Sequence, residues 1–190
     1  MQIGDAIKNR KSVRSFLDTK VDWRKILMAI DYSRFAPMAG GLNSVKFILV
    51  SEKNKIEKLA EASQQDFFSN ANHIVVAVSD DEKLKRNFEI FGEKFARQQA
   101  GAMIQNFLLG LEEQGLSTCW VGHFVEEKIK EILSIPEKLV VEAIFPIGKK
   151  SKSLAQKNPA QKPELENMIY FNKWKEKKME PQTRVSYENM

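Results

Sequence analysis

One cysteine, Cys119, is the only thiol in this chain of 190 residues, which excludes an internal disulfide and any multi-cysteine metal site. Histidine is nearly as scarce, with His73 and His123 alone, and no His-Glu or Cys-Cys spacing points to a metal. No apolar run is long enough to span a bilayer. The opening stretch, Met1 to Lys11, carries polar and charged residues where a signal peptide needs an unbroken apolar core. These absences predict a cytoplasmic protein with reduced thiols and no membrane partner. Internal repeats and low-complexity blocks are missing too, so a single domain is expected over residues 1–190.

Hydrophobic residues make up 43% and charged residues 29%, near the averages of folded globular proteins. The formal charge is +5 and the pI about 9.2, a balance compatible with a nucleic-acid partner. Along most of the chain, however, the lysines alternate with Glu and Asp, as they do on solvated faces. Only Lys149 to Lys178 is dense in lysine and poor in acids. No nucleic-acid partner is therefore expected.

Periodicity places short helices at Gly4 to Asn9 and at Val21 to Phe35, the second with Asp22 as N-cap. Phe47 to Ser51 and Ile74 to Ser79 are β-branched apolar runs that read as buried strands. Lys53 to Gln64 returns to helical spacing. Glu89 to Gln114 is the longest helical stretch, apolar on more than one side, so it should be central and buried. Gly115 is its left-handed cap. Ser117 to Val121 and Leu139 to Ile147 are further strands around a helix at Glu126 to Leu133. Past Gly148 a helical fragment at Pro163 to Lys173 precedes a polar tail. Met168, Ile169, Tyr170, Phe171 and Trp174 make that segment too apolar for water alone, so it is expected to pack on a partner subunit.

Three segments carry candidate chemistry. Arg10-Lys11-Ser12-Val13-Arg14-Ser15-Phe16 groups cations and hydroxyls of the kind that bind a phosphate dianion, and alternation would put Arg10, Ser12 and Arg14 on one side. A basic surface loop explains the segment better when it is taken alone. Ala36-Pro37-Met38-Ala39-Gly40-Gly41-Leu42-Asn43 is either a glycine turn that lets main-chain donors approach a flat ligand or a tight helix-to-strand connection. Gly115-Leu-Ser-Thr-Cys-Trp-Val121-Gly122-His123 is a strand entering a glycine turn. Core packing is its simplest reading.

Taken together and in this order, the three segments resemble the nitroreductase family. The first resembles that family's N-terminal Arg-x-Ser-x-Arg-x-Phe signature. Ala36-Pro-Met-Ala-Gly40, Gln105-Asn106 with Leu108-Leu109, Gly115 to Gly122 and Phe145-Pro-Ile-Gly148 follow. The resemblance runs from Ile3 to about Trp174. It implies an α+β fold in which a mostly antiparallel sheet of four to five strands is flanked by helices, with a long central helix. It also implies a homodimer in which a C-terminal arm, about residues 163–190, embraces the partner.

Carried over, the resemblance implies FMN, with Arg10, Ser12 and Arg14 on its phosphate and ribityl chain and Lys11 close by. Pro37, Met38 and Ala39 would line the ring from the partner subunit. Val121 and Gly122 would sit at the ring nitrogen that takes the hydride, and Lys162, in preference to Lys149, would complete the phosphate site. Asn43 would stand in for the family's glutamine at the pyrimidine edge. Here the chain departs from the pattern, with Gly41 for the usual asparagine, Ser44 for proline and Met38 for a serine.

The implied activity is hydride transfer from NADH or NADPH through the flavin to a small-molecule acceptor by ping-pong turnover. Nitroaromatics, quinones, flavins and halogenated aromatics are the acceptors the family uses. A flavin-based mechanism needs no catalytic triad, and the sequence offers none. Two other readings stay open, a non-catalytic flavin store or partner-docking subunit and a phosphate- or nucleic-acid-binding module built on Arg10 to Arg14. Cys119 reads as a small buried hydrophobe, His73 as a strand-entry residue, and His123 as structural or a substrate donor. Phe67, Phe68 and Phe91 read as core or as channel walls, and Asn106 as a buried polar group that needs partners.

Overall fold

Strand β5, Val140–Lys150, is the spine of the protein, because it pairs on both of its edges. The structure, a computed structural model, describes residues 2–151 and 162–178. It divides into two compact units, Met1–Ser153 and Leu154–Met190. In the first unit the elements run α1 (Ile3–Asn9), β1 (Phe16–Leu17), α2 (Trp23–Ser33), β2 (Val45–Val50), α3 (Lys53–Ser63) and β3 (His73–Ser79). They continue through α4 (Glu82–Phe88), α5 (Gly92–Glu113), β4 (Ser117–Thr118) and α6 (Glu126–Leu133) to β5. The sheet order is β1-β5-β3-β2, with β4 also on β5, and every ladder is antiparallel.

The alternation of side chains along β3 divides the core into two layers. Ile74, Val76 and Val78 face α3 and α6, where they meet Ile56, Leu59, Phe68 and Ile129. Val75 and Ala77 face α2 and α5, against Ile26, Ala29, Ile104, Phe107 and Leu111. A strand covered on both faces has no polar side to keep, and hence the unbroken apolar run Ile74 to Val78. Helices α2 and α5 approach closely at Gly110, where a β-carbon would lie 2.9 Å from the Ala29 Cα and 2.8 Å from Tyr32 Cδ2.

The expected strand Ser117 to Val121 is interrupted. Ser117 and Thr118 pair with Gly148 and Ile147, and Val121 bridges Ile144, but the ladder fails between them. The same register would set Cys119 opposite Pro146, which has no N–H to donate. Thr118 Oγ1 donates instead to the Pro146 carbonyl at 2.8 Å.

The helix expected over Glu89 to Gln114 is also shorter. A 3₁₀ turn at Glu89–Phe91 precedes α5, and Glu89 has φ +46°. That reversal folds the unforeseen helix α4 back onto the start of α5, with Gly92 against the Lys85 backbone. Asp22 caps α2 by accepting from Arg24 N at 3.0 Å, and Gly115 follows α5 at φ +68°.

In the second unit the helix expected over Pro163 to Lys173 is reduced to a 3₁₀ turn at Leu165–Asn167. Asn172 and Lys175 take left-handed φ values of +58° and +68°, which stop a right-handed helix. Tyr170 and Trp174 close edge-to-face at 4.7 Å, and Lys177 lies 4.4 Å from the Tyr170 ring. Residues 179–190, the rest of the expected arm, lie outside the described residues. Among the described residues no helix is long and apolar enough to cross a membrane.

A charged network pins α4 and α5 to the sheet. The register shift between Ala77 and Val78 leaves Glu142 as an extra residue on β5, where its carboxylate accepts from Ser79 Oγ and Arg97. Arg97 also pairs with Asp81 at 3.3 Å, and Lys85 meets Asp81 at 2.9 Å. Asp81 and Glu142 are only 10% and 13% exposed. Arg97→Met should therefore lower stability by about 2–3 kcal/mol, since it leaves Glu142 without its cation and Asp81 with Lys85 alone, both carboxylates being mostly out of water. Urea denaturation of the variant checks this, with the change expected in the midpoint rather than in the m-value.

Candidate functional site

Segments one and three of the sequence come together along the free edge of β4. Ser12 bridges Thr118 in parallel, and Val13 N donates to Thr118 O at 2.8 Å. The chain then enters β1, where Phe16 and Leu17 pair with Lys150 and Lys149. Arg10, Lys11 and Arg14 are thus carried to the same sheet edge as Lys149 and Lys150. Arg10 is half-buried and the Arg14 guanidinium lies 5.9 Å from the Phe67 ring centroid. Among the described residues none of these five cations pairs with a carboxylate. Four residues beyond Thr118, Gly122 is exposed, and nothing lies within 4 Å of where its β-carbon would stand.

Segment two sits at the opposite end of β3. Ser44 O accepts from Asp80 N, and Val45 pairs with Ser79, whereas the cation-bearing edge adjoins Ile147 and hence His73. The seven residues of β3 put roughly 20 Å between the two ends at about 3.3 Å per residue. Within this turn Gly40 and Gly41 have φ +59° and +71°, values that fit glycine and few other residues. Pro37, Met38 and Ala39 border a groove of about 310 Å³ with Phe95, Gln98, Gln99 and Ala102. Asn43 Oδ1 accepts from Val45 N at 2.9 Å, which engages that oxygen within the turn.

A second groove, of about 320 Å³, runs between α1, α2 and α5 and is lined by Ile3, Tyr32, Phe35, Leu109 and Gly110 among others. Around it Ile3 is 75% and Phe35 69% exposed, and Ile7 and Met28 are more than half exposed. Asn106, expected to be buried, is half-buried on this face, and its Nδ2 donates to Tyr32 O at 3.3 Å.

The remaining singled-out residues divide by environment. His73 is satisfied by Ser51 Oγ at 3.0 Å and Val21 O at 3.2 Å. Cys119 is buried at 2% exposure. Phe68 is core, Phe67 is half-buried beneath Arg14, and Phe91 is exposed and stacked on Phe95 at 6.1 Å. His123 is exposed beside Gly122, and Lys162 is exposed in the second unit.

The nitroreductase family model matches residues 7–65 and 60–149 of the chain, most of its length. The chain belongs to the nitroreductase family. A Methanothermobacter thermautotrophicus protein with a provisional NADH dehydrogenase/NAD(P)H nitroreductase name is 26% identical over 183 residues, covering 92% of this chain and 88% of the relative. The iodotyrosine deiodinase of Thermotoga neapolitana is 23% identical over 160 residues, covering 76% and 86%. In structure, a nitroreductase family protein from Clostridium novyi superposes with a TM-score of 0.74 at 28% identity, covering 93% of this chain and 96% of its own. The FMN-dependent nitroreductase of Clostridium difficile gives 0.72 at 24%, covering 89% and 98%, a likeness of fold.

The turn from Met38 to Ser44 is closed by Gly41 N donating to Met38 O at 3.1 Å and Leu42 N to Ala39 O at 3.0 Å. Gln99, on α5 and only 3% exposed, holds that turn from inside, and sequence reading missed it. The signal was available, since Ala96, Gln99, Ala100 and Met103 fall at helical spacing on one buried face. On the apolar face, Tyr32 OH donates to Glu113 Oε2 at 2.5 Å, and that hydrogen bond raises the phenol above its ordinary range. A raised folded-state pKa contributes stability that is complete below the ordinary tyrosine range and is lost as pH rises through the shifted value. Ultraviolet titration should find a late-ionising tyrosine in the native protein that Glu113→Ala removes.

Proposed function

We propose that this nitroreductase-family protein is an FMN-dependent oxidoreductase working as a homodimer. It would take a hydride from NADH or NADPH and deliver electrons to a small-molecule acceptor such as a nitroaromatic or a quinone. The observation that carries the reading is the cation edge, where Arg10, Lys11 and Arg14 lie on one stretch with Ser12 and, among the described residues, pair with no carboxylate. That donor set suits a phosphate dianion, because arginine forks and a hydroxyl give charge-assisted bonds. The open space above Gly122, three residues beyond Cys119, suits a flat ring close to the backbone.

In this reading FMN supplies the hydride and electron chemistry that no side chain here provides. Arg10, Ser12 and Arg14 bind the phosphate and ribityl end. Lys11 adds to the field, and the last phosphate cation would be Lys162 in preference to Lys149, which pairs with Leu17. Val121 and Gly122 set the backbone N–H that faces the ring nitrogen. Pro37, Met38, Ala39 and Asn43 come from a second copy, because within one chain their turn lies the length of β3 from the cations. The exposed apolar face of α1 and α2 supports that second copy as partner. The whole chain would then act as one FMN-binding domain, with the stretch from about Pro163 as an arm across the partner. Turnover would be ping-pong, since one open ring face admits nicotinamide and acceptor in turn.

Two measurements test the reading. Arg10→Ala combined with Arg14→Ala should yield folded but colourless protein, as each charge-assisted bond contributes on the order of 1.5–3 kcal/mol. Stoichiometric FMN after dialysis of that double variant would move the phosphate site elsewhere. NADH or NADPH should bleach the bound flavin without oxygen, and menadione should restore the colour, with parallel lines in double-reciprocal plots. Intersecting lines would replace ping-pong by a ternary complex, and no bleaching would favour a flavin store.

A further inference from the structure

We infer that Gln99 is a positioning residue for the Met38–Ser44 turn and sets the affinity and electronic environment of the flavin site through it. The inference rests on the reading that this turn lines the flavin. Its basis is a set of contacts that reaches both arms of the turn from one side chain. Gln99 Oε1 accepts from Ala39 N at 3.4 Å, and Nε2 donates to Leu42 O at 3.2 Å and to Ser44 Oγ at 2.5 Å. With one acceptor and two donors engaged, the amide orientation is determined by its partners.

The turn needs such a clasp. Two consecutive glycines at positive φ lose more conformational freedom on folding than any other pair, and only two internal backbone bonds close them, Gly41 N to Met38 O and Leu42 N to Ala39 O. Phe88 seals the outer side, 3.0 Å from where a Gly40 β-carbon would lie. An apolar residue would fill the Gln99 position without desolvation cost, since its helical neighbours Ala96, Ala100 and Met103 are all buried. The amide therefore serves the turn rather than the core. Ala39 N–H and O are both committed, so Ala39 offers a ligand its methyl, and the clasp decides where that methyl and the Met38 thioether stand.

The test compares wild type, Gln99→Met and Ser44→Ala. Gln99→Met keeps volume and helix propensity while it removes all three bonds, and Ser44→Ala removes one. In the apo proteins, hydrogen exchange at the Ala39 amide should accelerate at least about tenfold in Gln99→Met and change little in Ser44→Ala. FMN titration by fluorescence quenching should show about tenfold weaker binding in Gln99→Met, together with a shifted long-wavelength flavin band that a merely structural residue would not move. Unchanged affinity and spectrum in a folded Gln99→Met protein would overturn the inference. A wild type that binds no FMN would instead remove the flavin reading, while Ala39 exchange still decides whether the clasp exists. Should Gln99→Met fail to fold, a Ser44→Ala protein with wild-type affinity and spectrum would count against the clasp, and a smaller shift in the same direction would support it.

Discussion

Strand Val140–Lys150 hydrogen-bonds along both edges, and most of the molecule hangs on that pairing. Its one edge takes β3 over eight residues of its length, and its other edge is shared in sequence by the Val121 bridge, β4 and β1. Pro146 divides the second edge, because it offers no N–H opposite Cys119. The chain rejoins that edge at Val121, which exchanges both backbone hydrogen bonds with Ile144, and then reaches Gly122 in the open. The same edge then receives Phe16 and Leu17, which brings Arg10 to Arg14 alongside.

Two ends of one sheet thereby acquire different characters. At the His73 end the surface is cationic and lacks acidic partners among the described residues. At the Ser79 end the charges are paired internally, through Asp81, Arg97, Glu142 and Lys85. That network holds α4 against α5, and α5 in turn presents Gln99 to the glycine turn and Phe95 to the groove beside it. Under the proposed reading, a ligand that needs both the cations and the turn would be served by two copies related so that opposite ends meet. The exposed apolar residues of α1 and α2 give such a pair a surface to bury.

The strong local signals in the sequence translated directly into structure. Asp22 caps α2, Glu126–Leu133 is a helix with the bounds its periodicity indicates, and Ile74 to Val78 is the doubly covered strand its β-branched run describes. The helical segments that departed from expectation did so where a residue at positive φ turns the chain back onto a nearby stretch. Glu89 bends the chain so that α4 docks on α5, and Asn172 and Lys175 let Tyr170 close on Trp174 instead of continuing a helix.

Composition, periodicity and the ordered segments around Arg10, Pro37 and Gly122 determined the family, the alternation of helices and strands, and which residues carry positive charge or tolerate close backbone approach. Those properties are local, written in side-chain chemistry and in spacings of a few residues. Only the tertiary structure decided that Ser12 lies beside Thr118, that the glycine turn stands at the far end of β3, and that Gln99 rather than Asn106 is the buried amide of α5. Strand register and helix rotation are set by packing between residues distant along the chain. Their energies depend on which partner arrives, and no single stretch of sequence contains both sides of the contact.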